Sequence, residues 1–372
     1  MVGMRTPTVS RRRFLGSIGA TAIGSGAPAA MAVTSQPAPP LPAGSFTDIG
    51  GVRVGHFTDM RRPTGCTVIL FDKPATAGAD YDGSAPAESL GVMLQPVSPL
   101  DHIHGIVFAG GGPMGLGVTA GVVRFLEEHN VGYDWGVPNV RVPIVVGAVL
   151  DDLAIGDGRI RVGPDEAYRA CQSATTSAVA EGSVGAGAGA TVGKMFVARG
   201  MLGMKGGVGS ASVRLGDVVI AALVVVNAAG DVVDWRRGTI VAGARTADGR
   251  DFAHSVELLR RDLETRRAAN APVADQALRA TTLAAVGTNV ALTKTQLTKL
   301  AMMANTGAAR AINPYHTQGD GDQVLAISTG LSNAAVSLTS LGAIAAEVLA
   351  DAILRAVRTA TGVPGWAAVS EL

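Results

Sequence analysis

The stretch Arg279-Ala280-Thr281-Thr282-Leu283-Ala284-Ala285-Val286-Gly287-Thr288-Asn289 decides how this chain is read, because a polar, helix-like region runs straight into an apolar strand and the step between them is a hydroxyl residue. A threonine hydroxyl is a poor nucleophile unless a base sits beside it. One solution is to free the residue's own α-amine, which titrates at about 7.7 to 8.0 and needs only a modest shift to act as that base near neutral pH. The expectation is therefore a chain that cuts itself before Thr281. The Oγ would attack the Ala280 carbonyl, an N-to-O acyl shift would give an ester, and hydrolysis would release Thr281 as a new N-terminus.

Working outward, residues 256–269 carry a charged helical pattern, and the polar stretch after it, with Pro272, reads as an exposed, cleavage-permissive loop. Beyond Thr281 the pattern predicts a strand, a helix over 293–312, a strand at 323–328 and a long Ala-rich helix from 333 to about 359. Upstream, strands are expected at 52–57, 67–72, 105–109, 142–150 and 218–226, with a helix over 116–129. Residues 182–209 form a glycine-rich region. Strands mixed with long flanking helices predict an α/β architecture with sheets sandwiched between helices.

Composition supports a large core: of 372 residues, 47% are hydrophobic and 16% charged, which excludes a disordered chain. Forty-nine glycines beside 4% aromatics point to tight backbone packing and many turns. No internal repeat is found. Ser10-Arg11-Arg12-Arg13-Phe14-Leu15 has the twin-arginine form, and a weakly apolar run over 16–27 leads to Ala30-Met31-Ala32, an A-x-A cleavage signal. Residues 1–32 are thus expected to be an export signal and 33–45 a Pro/Ala-rich linker, with a periplasmic or extracellular destination. The apolar run is too short and glycine-rich for a membrane span. Residues 1–32 hold four arginines and no acid, so the rest of the chain has 27 bases against 30 acids, a net charge of −3. That balance carries no footprint for nucleic acid. Cys66 and Cys171 are expected to be two separate buried thiols.

Other chemistries fail on inspection. Gly185-Ala186-Gly187-Ala188-Gly189-Ala190 imitates a dinucleotide loop, but no suitable strand precedes it. Gly193-Lys194 imitates the end of a P-loop, yet Met195 stands where a magnesium-ligating hydroxyl belongs. His102-Ile103-His104 offers two nitrogens without a third ligand at a supportive spacing, and is read as a pair of surface histidines. Gly330-Leu331-Ser332-Asn333-Ala334 lacks the last glycine of a nucleophile elbow, and Asp320-Gly321-Asp322 lacks the spacing of a calcium loop. Neither a metal nor a cofactor is expected.

A threonine nucleophile needs helpers. Asn227, at the end of an apolar strand, is a candidate oxyanion donor. Lys194 is a candidate for stabilising developing negative charge, and Asp320 with Asp322 for orienting an ammonium. Taken singly, each residue type at such a place is more often something plainer: Thr281 a strand-start threonine, Asn227 a turn residue, Lys194 a solvated charge and the aspartates a turn.

Several blocks carry a resemblance. They are Phe46-Thr47-Asp48-Ile49-Gly50, Val54-Gly55-His56, Pro63-Thr64-Gly65-Cys66-Thr67-Val68, Ala109-Gly110-Gly111, Gly187-Ala188-Gly189-Ala190-Thr191-Val192-Gly193-Lys194, Leu215-Gly216-Asp217-Val218 and Val225-Val226-Asn227. The most specific block runs from Thr281 through Asn289, Arg310-Ala311-Ile312 and His316 to Asp322. In this order the blocks resemble the D-aminopeptidase/β-aminopeptidase family of N-terminal-nucleophile hydrolases, which includes the endo-type nylon-oligomer hydrolases. The resemblance implies an αββα sandwich and self-cleavage into an α chain, 46–280, and a β chain, 281–372, which stay together as one domain. It further implies oligomers of these pairs and amide hydrolysis of small peptides or of D-, β- or ω-amino acid oligomers. Carried onto this sequence, the nucleophile falls on Thr281, the lysine on Lys194, the oxyanion asparagine on Asn227 and the paired acids on Asp320 and Asp322. Two positions depart from the pattern: Ala280 stands where the nylon-oligomer hydrolases have Asn, and Asp151 stands where the family places a tyrosine. A catalytically silent exported protein of the same fold is the alternative these departures favour.

Overall fold

The computed structural model describes residues 44–268 and 280–372; the expected export signal, most of the linker and the loop at 269–279 lie outside the described residues. Eight strands set the frame: β1 Val52–Asp59, β2 Thr64–Asp80, β3 His102–Ala109, β4 Val145–Val149, β5 Gly207–Leu215, β6 Val218–Asn227, β7 Thr281–Val290 and β8 Gln323–Ser332. Among the described residues five α-helices accompany them: α1 Val118–Glu128, α2 Pro164–Gln172, α3 Ser255–Ala268, α4 Lys294–Ala311 and α5 Leu338–Arg358.

Hydrogen bonding runs continuously in the order β5-β6-β7-β8-β2-β3-β4, with β1 also on β2. The long strand β2 divides this into two layers. Its first half pairs with β1 and β3, and its last residues, Thr76 to Asp80, pair with β8. Between them lies an exposed kink at Asp72, Lys73 and Pro74, where the register against β3 shifts. Proline has no N–H for the ladder, so a strand tolerates it at such an irregularity. The strand expected over 67–72 thus continues through this irregularity to Asp80.

Strand periodicity builds the layers, since successive side chains point to opposite faces. On β6, Val219, Ala221, Leu223 and Val225 enter the central core, together with Leu283, Ala285, Leu325 and Ile327. Facing them across that core are Ile69, Phe71, Ile106, Phe108, Val146 and Ala148. The opposite faces, Ala222, Val224, Val226, Ala284, Val286, Val324 and Ala326, pack under α4 and α5. On the far side Val68, Leu70, Val107 and Val145 pack under α1 and α2, in the core that also holds the free thiols Cys66 and Cys171. The result is the expected αββα sandwich. Because β6 is covered on both faces, it reads as an unbroken apolar run from Val218 to Val226.

The helix after β7 begins where its cap dictates: Thr293 Oγ1 accepts from the Gln296 amide, and Gln296 Oε1 accepts from Thr293 N–H, closing a capping box. This helix carries the chain back so that β8 runs parallel to β7. The glycine-rich region ends earlier than the sequence indicated, because β5 starts at Gly207, where small residues let it pass close to the backbone of α5.

Candidate active site

Register brings the site together. β6 runs antiparallel to β7, so its last residue, Asn227, lies opposite the first residue of β7, Thr281. β8 runs parallel to β7 and its start lies beside the same end, with Leu283 opposite Gln323 and a bridge between Ala280 and Asp320 just before. A strand end, a strand start and the turn before a third strand thus meet around the Ala280–Thr281 bond. All five residues expected from sequence converge here.

Thr281 is buried, and its Oγ1 donates to the carbonyl oxygen of Ala280 at 2.5 Å. That same carbonyl accepts the Gly321 N–H at 3.0 Å. Asp322 Oδ1 accepts the Thr282 N–H at 2.6 Å, and its Oδ2 accepts the His316 N–H at 3.2 Å, which ties the start of β7 to the turn. The His316 Nδ1 lies 3.3 Å from Asp322 Oδ2. Burial works against charge on this ring, but the carboxylates of Asp322, Asp82 and Asp80 outweigh it and raise its pKa.

Asp320 Oδ2 accepts from the Thr317 amide at 2.8 Å and the Thr317 hydroxyl at 2.5 Å. Its Oδ1 is buried without a hydrogen-bond partner. Burial, and after it the charge of Asp322, push the Asp320 carboxyl up to about 6.

On the other side Asn227 is fully buried. Its Oδ1 accepts from Thr191 N–H at 3.0 Å and from Lys194 Nζ at 2.5 Å, and its Nδ2 donates to the Asp151 carbonyl at 3.2 Å. Lys194 follows Gly193, whose φ of +64° is the left-handed conformation that glycine adopts freely. The half-buried Lys194 also donates from its ammonium to Thr191 Oγ1 at 3.2 Å. Burial pushes it down to about 7, against the opposing pull of Asp151, Asp320, Asp152 and Asp322.

Behind this wall Asp152 and Arg62 form a buried ion pair. Asp152 Oδ2 accepts from Thr64 Oγ1 at 2.6 Å and its Oδ1 from the Gly111 N–H at 2.9 Å, while Arg62 also holds the carbonyls of Asp152 and Ile155. The network fixes the main chain that carries Asp151. Sequence reasoning named Asp151 only as a departure; what it presents to Asn227 is its backbone carbonyl, which any residue supplies.

Sequence reasoning also missed the Gly321 amide, Thr191 and the Arg62–Asp152 pair. Gly321 and Thr191 lie inside the blocks that carry the resemblance, but a backbone donor leaves no side-chain signature. One reading is corrected: His104 is not a surface histidine. It is 2% exposed, accepts from the Ile144 amide at 3.0 Å and stands edge-on to the Tyr133 ring, whereas His102 is exposed.

The family model described as peptidase family S58 matches residues 44–369. The chain belongs to peptidase family S58. Among S58-like relatives, one named an uncharacterized aminopeptidase from Mycobacterium tuberculosis is 36% identical over 352 residues, covering 86% of this chain and 95% of that protein. A 6-aminohexanoate-oligomer endohydrolase from Paenarthrobacter ureafaciens is 34% identical over 325 residues, covering 83% of this chain and 84% of that protein. Among solved structures, the L-aminopeptidase D-Ala-esterase/amidase of Ochrobactrum anthropi, described as a variant of the Ntn hydrolase fold, superposes with a TM-score of 0.61 at 19% identity over 86% of this chain and 87% of that one. A Burkholderia β-aminopeptidase gives 0.59 at 23% over 84% and 86%. At such identities the structures speak for the fold. Family and relatives together make this S58 chain an amide hydrolase.

Proposed function

We propose that the chain is a proenzyme that cuts its own Ala280–Thr281 bond and then uses Thr281 to hydrolyse amide bonds of small peptides or oligoamides bearing a free amino end. The observation that carries this reading is the double engagement of the scissile carbonyl, by the Thr281 hydroxyl on one side and the Gly321 N–H on the other.

In the cutting step, Oγ of Thr281 bonds to the Ala280 carbonyl carbon, and the oxygen that becomes negative is held by the Gly321 N–H. The C–N bond breaks as the Thr281 nitrogen takes the proton that Oγ gives up. Water then hydrolyses the ester, leaving a carboxylate on Ala280 and a free hydroxyl and amine on Thr281. The orphaned Oδ1 of Asp320 supports this outcome, because a buried acceptor without a partner is costly and the new ammonium supplies the donor.

In turnover, the α-amine takes the proton from Oγ as it attacks the substrate carbonyl, and later gives it to the leaving amine. Asn227 Nδ2 serves as the oxyanion donor, backed by the positive charge of Lys194 on its Oδ1. Asp320 and Asp322 hold the ammonium of Thr281 and orient that of the substrate. The names of the relatives support amino-acid amides and 6-aminohexanoate oligomers as substrates to try first. Export by the twin-arginine route and assembly of cleaved pairs into larger oligomers belong to the same proposal. Size-exclusion chromatography with light scattering tests the assembly, and fractionation of the producing cells tests the export.

Intact mass and N-terminal sequencing of the purified protein test the central step. Two chains, one beginning at Thr281, are expected. One stable uncut chain without amidase activity refutes the proposal in favour of a silent protein of the same fold.

A further inference from the structure

A second lysine lies behind the site. Lys205, in the short strand Met204–Lys205, has no exposed surface, and its ammonium donates to three main-chain carbonyls: Ala190 at 2.7 Å, Gly187 at 3.2 Å and Gly206 at 3.3 Å. Those contacts use all three of its donors. Burying a cation is costly, and an apolar side chain of similar volume often serves packing as well or better, so packing alone is a poor reason for a lysine here.

What the charge touches supplies a reason. The Ala190–Thr191 peptide has its carbonyl on Lys205 Nζ and its N–H on Asn227 Oδ1, at 2.7 and 3.0 Å. A cation on the carbonyl of a peptide polarises it and strengthens the bond its N–H donates. The amide of an asparagine has two flips of nearly equal shape, and only one of them places its N–H2 group where an oxyanion donor is needed. Donors from Thr191 and Lys194 on Oδ1 select that flip and leave Nδ2 directed to the Asp151 carbonyl.

The loop between is wedged. A Cβ on Gly189 would stand 2.6 Å from Asp152 Oδ2 and 2.5 Å from the Pro63 carbonyl, so residues 187–190 run between the Arg62-paired carboxylate and Lys205. The charges bearing on Lys205 are those of Asp152 and Lys194. Burial pushes the Lys205 ammonium down to about 7, with Asp152 opposing and Lys194 adding to the fall.

We infer that Lys205 is a positioning residue of the active site: through the Ala190–Thr191 peptide it locks the Asn227 amide in the orientation that presents Nδ2 to the reacting carbonyl. The inference rests on the reading of Asn227 as oxyanion donor. A residue that acts this way governs the rate of the chemical step and leaves substrate binding alone.

The test measures kcat and KM on an aminoacyl p-nitroanilide for wild type, Lys205→Met, Asn227→Ala and the double variant, with rates referred to the cleaved fraction and folding checked by thermal melting. For Lys205→Met we expect kcat to fall about ten- to a hundredfold, as for a misplaced catalytic group, with KM within about twofold. The double variant is expected to be no slower than Asn227→Ala alone, because residues acting through one another do not add. A folded Lys205→Met enzyme with wild-type kcat, or losses that multiply in the double variant, overturns the inference. If Lys205→Met does not fold, Lys205→Gln, which removes the charge while keeping a polar side chain, is put through the same comparison with a smaller fall in kcat expected, and wild-type kcat there overturns the inference. Wild-type kcat in Asn227→Ala refutes the oxyanion reading itself, whereas a slow Asn227→Ala beside a fast Lys205→Met refutes only the role of Lys205.

Discussion

Gly321→Ala is the sharpest perturbation of the proposed cutting step, because the side chain it adds is a single methyl and the donor it disturbs is a single N–H. A Cβ at Gly321 would stand 2.6 Å from the Ala85 carbonyl oxygen and 3.0 Å from Thr281 Oγ1. The first contact is with backbone, which cannot rotate aside as a side chain can. Nor is that backbone loose: Gly83 N–H donates to the Asp322 carbonyl at 3.1 Å and Ala85 N–H to the Asp320 carbonyl at 2.9 Å. The turn therefore has to withdraw, taking the Gly321 N–H away from the Ala280 carbonyl. Removing one oxyanion donor costs about 3 to 4 kcal/mol of barrier, a factor of about 10² to 10³ in rate. Self-cleavage is followed as the appearance of two fragments on denaturing gels, timed from induction and checked by intact mass. Gly117→Ala is the control, since a Cβ there meets nothing within 4 Å. A folded Gly321→Ala protein that matures within about fivefold of the wild-type rate would show that this amide does not stabilise the developing oxyanion.

Thr281→Ala should give a single uncut chain without amidase activity, whereas Thr281→Ser, which keeps the hydroxyl, should still mature; activity in the alanine protein would end the nucleophile assignment. The Asp320 carboxyl is raised to about 6 in the uncut chain; the ammonium that cleavage sets against it pulls it back down, so the acid limb of kcat/KM in the mature enzyme should lie below pH 6. A profile unchanged in Asp320→Asn would assign that limb to another group. The same shift has a sign for stability: the folded state binds more protons than the unfolded chain between 3.8 and about 6, so this contribution is present at low pH and is lost as pH rises through 6. Denaturant melts of Asp320→Asn placed in the uncut Thr281→Ala chain should therefore vary less with pH across that window than those of Thr281→Ala alone. In the uncut Thr281→Ala chain, Arg62→Met should destabilise by about 3 to 5 kcal/mol because it strands the Asp152 carboxylate in the interior, and a loss under about 1 kcal/mol in chemical denaturation would show that the pair is dispensable.

The layers were legible because periodicity reports burial, and β6, β7 and β8 are buried on both faces. Their pairing was not, since an apolar run such as Val218–Asn227 is equally compatible with either neighbour and either direction. The site residues were named only through their resemblance to a family; alone, Lys194 and Asn227 read as surface and turn. What sequence could not display is the register that sets Asn227 opposite Thr281, and the carbonyls and amides of Ala280, Gly321, Ala190 and Asp151, whose placement depends on the whole sheet. Lys205 did leave a mark: it is the only charged residue between Arg199 and Arg214, in a run otherwise made of apolar, glycine and serine residues.

Strand order bears on renaturation. β7 and β8, which follow the Ala280–Thr281 bond, are inserted between β6 and β2, which precede it. While the chain is continuous, refolding is a problem for one molecule. Once the bond is cut, the fragment 281–372 retains only one parallel pair of strands and two helices, and the other fragment has a gap where that pair belongs. Recovery after melting then becomes a second-order encounter between two incomplete pieces, each exposing apolar surface. The precursor should regain its shape on cooling where the mature form aggregates, so the working lifetime of the enzyme is set by how slowly it opens and not by an equilibrium it can return to.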